Sequence, residues 1–314
     1  MQSHKKKILI IDTMHQSIIP LLEALDFDVD YMPKITRQEI IDTLSGYVGI
    51  VVRSKTTIDA ELLQTADKLK FVARAGAGID QLDVKVLESR RITILNAPEG
   101  NRDALGEHAL GMLLCLANKI NVGDLMVRQM VWDREGHRGF ELKDKTIALI
   151  GYGQMGSAFS EKLAGLSCTV MAYDKYKSGY SSQLVKEVSM HAIYEKADVV
   201  SFHVPLTEET RNLADKSFFL NFKKDIVVLN TSRGEVLNLR DLLDLLEGGK
   251  VKAAALDVLE NEKLNLLTDD QKDVFQRLIQ MEKVLLTPHV GGWTFESYER
   301  INQVLVDKIS KLSY

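Results

Sequence analysis

Cysteine is almost absent from this chain: 314 residues contain two, Cys115 and Cys168. Neither belongs to a Cys-x-x-Cys pair or a His/Cys cluster, so the sequence offers no disulfide framework and no metal spacing. Both thiols read as free groups in a reducing compartment. An excess of one charge is missing too. With 40 Lys and Arg against 44 Asp and Glu, the net charge of −4 gives no reason to expect nucleic-acid or anionic-membrane binding. No apolar run has the length of a membrane span, and the basic Lys5-Lys6-Lys7 leads straight into a strand-like segment rather than a signal-peptide core. Internal repeats and low-complexity tracts are also lacking. A cytosolic globular protein is expected, and its length favours two domains.

What is present is a fingerprint. The apolar run Thr146-Ile147-Ala148-Leu149-Ile150 ends in Gly151-Tyr152-Gly153-Gln154-Met155-Gly156, and a second apolar run ends at Asp174. Strand, glycine turn, helix and strand thus fit within about thirty residues. Gly151 permits a tight turn, Gly153 a close approach to a pyrophosphate, and Gly156 close packing of helix on strand. The helix N-terminus then presents free N–H groups to phosphate. Asp174 falls where a carboxylate accepts hydrogen bonds from the ribose hydroxyls. It would repel a 2′-phosphate and no arginine follows it, so NAD is expected rather than NADP.

The surrounding rhythm is α/β. Apolar runs at 8–11, 28–31, 49–52, 71–73 and 92–95 read as strands, with helices at 17–25, 37–44, 59–65 and 83–89 between them. Such alternation implies parallel pairing. A long, broadly apolar helix is expected from 102 to 119, followed by a segment at 121–139 that breaks the pattern and suits an arm packing on a second subunit. Six further strands are expected at 146–150, 169–173, 199–202, 226–230, 253–257 and 284–287. A last helix at 295–310 comes too late for that second sheet and is expected to return to the first. The expected division is therefore 1–100 with 290–314, and 101–289.

Ligands of open α/β sheets sit at the carboxyl ends of strands, and three ionisable groups lie just past such ends. Arg233 follows the 226–230 run, Asp257 closes the next with Glu260 and Glu262 behind it, and His289 follows 284–287. A guanidinium can clamp the carboxylate of a 2-oxo or 2-hydroxy acid. An imidazole with a carboxylate neighbour can move the hydroxyl proton while hydride passes to a nicotinamide. His203, at the end of a strand, reads as a wall of the cofactor pocket, and His108 as a packed helix histidine.

These segments in order, GYGQMG with Asp174, HVPLTEETRNL (203–213), LNTSRGEVL (229–237), ALDVLENE (255–262) and TPHVGGWT (287–294), resemble the D-isomer-specific 2-hydroxyacid dehydrogenase family over nearly the whole chain. The resemblance implies two doubly wound parallel-sheet domains, a Rossmann NAD-binding domain inserted into a flavodoxin-like substrate domain. It implies a homodimer built around an arm near 120–140. It also implies a catalytic trio at Arg233, Glu262 and His289. Cofactor contacts are implied at Gly151, Gly153, Gln154, Met155, Gly156, Asp174, His203, Val204, Pro205, Thr231, Ser232, Arg233, Asp257, His289, Gly291 and Gly292.

Within the family, VVRSKTTID (51–59) and ARAGAGIDQLD (73–83) are most similar to the members that oxidise D-3-phosphoglycerate, the entry to serine synthesis. That similarity implies substrate contacts at Arg53, Ser54, Lys55, Gly76, Ala77, Gly78, Asn101, Arg233 and His289, with two cations suiting a phosphate-bearing acid. The alternatives are a reductase of hydroxypyruvate, glyoxylate or another 2-oxo acid and, from a different class, a dinucleotide-sensing scaffold similar to the C-terminal binding protein co-repressors. Two positions depart from the family pattern. Glu262 is followed by Lys263 rather than proline, and Trp293 is larger than the residue usual there. The sequence ends at Tyr314, so a C-terminal small-molecule-sensing domain is not expected.

Overall fold

A computed structural model describes residues 5–313. The chain forms two compact units, one running to Arg102 and resuming at Trp293, the other spanning Asp103–Gly292.

The first unit holds a parallel sheet of β1 (Lys6–Ile10), β2 (Phe27–Tyr31), β3 (Gly49–Val52), β4 (Phe71–Arg74) and β5 (Thr93–Asn96), in the order β2-β1-β3-β4-β5. That is the flavodoxin-like order. Successive side chains of a strand point to opposite faces, so β1 and the residue after it feed two cores. Leu9 and Ile11 pack with Ile40, Leu44, Leu62 and Leu87 on one side, and Ile8 and Ile10 with Ile18 and Leu22 on the other. The second layer is completed by Ile301, Leu305 and Ile309 of the last helix, Phe295–Ile309. Thr294 starts that helix with a reciprocal capping box to Ser297.

One expected helix is missing. Residues 59–65 form a chain of turns in which Leu63 N–H donates to the Asp59 carbonyl, Gln64 to Glu61 and Ala66 to Leu63. The mixed bonds do not propagate. A seven-residue segment gains little from helix formation alone. Burial of Leu62 and Leu63 and the grip of Asp59 on Arg37 decide its path instead.

The second unit holds seven parallel strands: β6 (Thr146–Ile150), β7 (Thr169–Tyr173), β8 (Lys186–Glu187), β9 (Val199–Phe202), β10 (Ile226–Asn230), β11 (Val251–Leu256) and β12 (Val284–Leu286). Their order is β12-β11-β10-β9-β6-β7-β8, a doubly wound sheet whose direction of winding reverses beside β6. The expected count was six. The extra strand, β8, is a two-residue edge with a burial pattern too short to show periodicity. Strand β11 begins two residues earlier than expected and ends at Leu256, which leaves Asp257 just beyond the sheet. The central strands β9 and β10 are buried throughout, as strands covered on both faces must be.

The long helix spans Pro98–Ala117 and starts earlier than expected, with proline in the first turn where its missing N–H costs nothing. Asn101 therefore lies in that turn rather than before the helix. The following segment is partly helical, Ile120–Arg128, and leaves Ile120, Leu125, Val127, Met130 and Trp132 exposed.

Candidate active site

The glycine turn follows β6, at the point where the sheet winds in opposite directions. Its three glycines meet three different demands. Gly151 has φ +94, and a Cβ there would lie 2.5 Å from the His203 carbonyl oxygen. Gly156 backs directly onto the Gly151 carbonyl, so the helix Gln154–Leu163 sits against the turn. Gly153 has ordinary backbone angles and open space where its Cβ would be. No folding reason demands glycine at this position; open space beside free helix N–H groups suits a pyrophosphate.

Asp174, just past β7, accepts the Tyr152 N–H at 2.9 Å on one oxygen and those of Tyr176 and Lys177 on the other. It thus braces the glycine turn. Two buried polar atoms near the same edge have no hydrogen-bond partner among the described residues: His203 Nδ1 and Thr231 Oγ1. His203 Nε2 lies 2.9 Å from Ser201 Oγ, and burial pushes the imidazole pKa down to about 4. This histidine is neutral at physiological pH. The open cradle at Gly153 and the orphaned Thr231 hydroxyl fit a dinucleotide.

Three adjacent strands deliver the ionisable groups to one edge of the sheet. At the end of β10, Asn230 is fully buried; its amide donates to the Arg233 carbonyl while its oxygen accepts the Ser232 N–H and hydroxyl. This knot fixes the backbone on both sides of Arg233, which is half-buried. Gly234 backs directly onto the Leu259–Glu260 backbone, so the Arg233 turn packs against the segment that leads to Glu262.

After β12, His289 sits in the left-handed region with φ +53, uncommon for a residue with a side chain. What holds it there is Asp257. The Asp257 carbonyl accepts the His289 N–H at 2.8 Å, and its carboxylate accepts the N–H groups of Val290 and Gly291 and the Thr287 hydroxyl. His108 Nε2 lies 3.3 Å from the same carboxylate. Desolvation opposes the charge on Asp257, but bonds from His108, Thr287 and the two N–H groups outweigh it and lower its pKa.

His289 Nδ1 then faces Glu262, at 2.8 and 2.9 Å from its two carboxylate oxygens. Both side chains are nearly half exposed, so the outer ring nitrogen is open to a ligand. Glu260 points elsewhere: it accepts the Leu239 N–H at 2.7 Å, and burial raises its pKa. Geometry therefore separates the two glutamates that sequence spacing left adjacent.

In the first unit, Arg53 follows β3 with its backbone held at both ends. Its N–H donates to the buried Asp12, and its carbonyl accepts from Gln81. The guanidinium carbon lies over the Trp293 indole, 3.6 Å from the ring centroid. Ser54 is exposed beside it. Lys55 is directed differently, its ammonium bound to the carbonyl oxygens of Pro33 and Ile35. The pair of cations expected in this loop is thus one cation on an aromatic face and one tied to the backbone. Gly76 has φ +140, the Ala77 carbonyl accepts the Asn96 amide, and the buried Asn101 Oδ1 has no partner among the described residues.

Two residues with no assigned site role take part in these arrangements. His108, expected to be merely packed, reaches the Asp257 carboxylate from the long helix. Its distance of 149 residues from that partner leaves no local signal. Trp293 was visible only as an oversized residue.

Residues 110–291 match the model of the D-isomer specific 2-hydroxyacid dehydrogenase NAD binding domain. This chain belongs to that family. Among curated relatives, a D-3-phosphoglycerate dehydrogenase of Archaeoglobus fulgidus is 32% identical over 98% of this chain and 57% of its own length. A hydroxypyruvate reductase of Thermotoga maritima is 31% identical over 92% of this chain and 91% of its own. The chain thus spans little more than half the length of the phosphoglycerate dehydrogenases it matches, and nearly all of the reductase. An acyclic imino acid reductase solved with NADPH and D-Arg superposes with a TM-score of 0.83 at 26% identity, covering 96% of this chain and 95% of that one. The glycine turn lies in the segment matched to the NAD binding domain, and so do Arg233, Glu262 and His289.

Proposed function

We propose that this family member is an NAD-dependent oxidoreductase that interconverts a D-2-hydroxy acid and its 2-oxo acid, with D-3-phosphoglycerate as the substrate. The observation that carries the reading is the Glu262–His289 pair, held at the carboxyl edge of the sheet beside the Arg233 turn. Arg233 binds the substrate carboxylate through its fork of N–H donors. His289, with Nδ1 engaged by Glu262, accepts the hydroxyl proton at Nε2 as the C2–H bond breaks. Glu262 orients the ring through Nδ1. NAD, when bound, supplies the hydride acceptor. In the opposite direction His289 returns the proton to the carbonyl oxygen. The neutral His203 and the Thr231 hydroxyl line the cofactor side, with Gln154, Met155, Ser232, Val204, Pro205, Gly291 and Gly292.

Arg53 is assigned to a phosphate group, and Asn101 and the Gly76–Gly78 backbone to its polar surroundings. Reduction of hydroxypyruvate is the second reading. It is favoured by the relative that matches this chain at nearly equal length, and by Lys55, whose ammonium is tied to two carbonyls. Initial rates of NADH formation across D-3-phosphoglycerate, D-glycerate and D-lactate, and of NADH consumption with hydroxypyruvate and glyoxylate, decide between them. A kcat/KM for D-3-phosphoglycerate at or below that for D-glycerate would discard the first reading. No turnover with any of these acids would discard the enzyme. The exposed apolar side chains of 120–132 support a homodimer through that arm, to be checked by light scattering of a Leu125→Glu, Trp132→Glu variant.

A further inference from the structure

Arg53 is an unusual cation for a surface loop. Its backbone is fixed at both ends, by Asp12 and Gln81. The buried Asp12 carboxylate accepts the Arg53 backbone N–H, and no carboxylate forms an ion pair with the guanidinium among the described residues. Its neighbours are aromatic instead. Trp293 lies under it at 3.6 Å, and the Tyr298 ring at 5.4 Å. The two rings pack on each other at 5.0 Å, and the Tyr298 hydroxyl donates to the Thr13 carbonyl at 3.0 Å, which ties the aromatic pair to the β1 loop. Trp293 is itself 45% exposed, so the platform is not core packing. Arg53 is half-buried, and desolvation lowers its pKa without removing its charge.

A guanidinium stacked over an indole lies in a plane parallel to the ring, with its N–H donors directed outward from the stack. Resting on the ring removes most of the rotamer freedom that an arginine otherwise loses when it captures an anion. A carboxylate partner would have fixed the side chain too, but would have cancelled the charge. The aromatic pair fixes it, with the Tyr298 hydroxyl taking part as a neutral hydrogen-bond partner, and leaves the charge uncancelled. We infer that Trp293 is a positioning residue that holds the Arg53 guanidinium ready for a phosphate group, and thereby favours phosphate-bearing acids over acids with a neutral tail. This rests on the proposed 2-hydroxy acid chemistry and adds to it the residue that selects the tail.

The test compares D-3-phosphoglycerate with D-glycerate, which differ by the phosphate alone. Trp293→Leu is expected to raise KM for D-3-phosphoglycerate about tenfold, to leave its kcat within about twofold, and to leave KM for D-glycerate within about twofold. Trp293→Phe, which keeps an aromatic face, is expected to restore most of the loss. Equal KM rises for both acids, or Trp293→Phe behaving as Trp293→Leu, would overturn the inference.

A binding measurement separates it from the activity. The chain has two tryptophans, Trp132 and Trp293, so Trp132→Phe leaves Trp293 as the sole indole reporter. Titrating that protein with D-3-phosphoglycerate and with inorganic phosphate, cofactor omitted, is expected to give a saturable fluorescence change that Arg53→Met abolishes and D-glycerate does not elicit. An inactive protein that still shows this response refutes the proposed reaction and upholds the platform. An active enzyme whose Trp293 emission ignores all three ligands refutes the platform and leaves the reaction standing.

Discussion

Two buried aspartates, one in each unit, do the same structural work with different results. Asp12 lies just past β1 and grips the backbone of the loop after its neighbour β3; Asp257 lies just past β11 and grips the loop after its neighbour β12. In both sheets a carboxylate beyond one strand fixes the backbone beyond the next, and the fixed loop presents a guanidinium in one case and an imidazole in the other. The difference lies in what then holds the presented side chain. His289 leans on a carboxylate, Glu262, whereas Arg53 leans on an indole. A base that must gain and lose a proton benefits from a partner that holds its ring by one nitrogen and leaves the other to the reaction. A permanent cation gains nothing from neutralisation, and an aromatic face orients it with its charge intact.

The largest effect is expected where the anchored group does chemistry. His289→Asn should lower kcat by about 10²–10⁴-fold, the usual range for removing an acid–base group. The fold should survive, because asparagine is among the side chains that tolerate φ +53. Steady-state rates with urea unfolding alongside check both halves. A rate within tenfold of the parent would remove His289 from the reaction and leave Asp257 as the anchor of an inert loop.

Next comes the anchor itself. Asp257→Asn keeps the shape but replaces one acceptor oxygen by a donor that faces existing donors. A loss of roughly 3 kcal/mol is expected in urea unfolding, since a buried, charge-assisted network is broken. Asp12→Asn, with one such bond to Arg53, should cost only about 1 kcal/mol. Equal costs would mean that the number of donors does not distinguish the two anchors.

The first turns of the two sheets differ in the same instructive way. After β1 the chain continues Ile11-Asp12-Thr13 with no glycine, and after β6 it continues through three glycines in six residues. Gly151→Ala should cost about 2–3 kcal/mol, because φ +94 and the His203 carbonyl both oppose a Cβ. Gly153→Ala meets nothing and should leave stability within about 0.5 kcal/mol, while NAD affinity falls, read by calorimetric titration. If Gly153→Ala binds NAD as tightly as the parent, the phosphates are not held there.

How far these features can be read from sequence depends on how local their causes are. Strand positions were legible because buried parallel strands such as Ile226–Asn230 are apolar without interruption, and the glycine turn because its three demands fall within six residues. The turns at 59–65 were not, since their apolar spacing also suits a helix and only the distant Arg37 and the buried Leu62 and Leu63 decide against it. Glu262 and Glu260 are two residues apart and chemically alike, and only the fold sends one to His289 and the other to the Leu239 N–H. The contacts of His108 with Asp257 and of Trp293 with Arg53 are purely tertiary.

A pH-dependent effect is expected at His203, whose imidazole lies 2.9 Å from Ser201 Oγ and is tilted against the Phe159 ring at 5.6 Å. Its pKa is about 4 in the fold against 6.5 as the unperturbed value. The unfolded chain therefore binds more protons than the folded one in that interval, and stability must rise with pH through it, being complete above about 6.5. Between pH 5 and pH 7 the contribution is about 2 kcal/mol. Urea midpoints measured at both pH values should show this slope in the parent and lose most of it in His203→Gln, which can keep a hydrogen bond toward Ser201 without titrating. Identical slopes in the two proteins would show that the ring becomes protonated without cost, and that the wall it forms at the glycine turn is wet rather than dry.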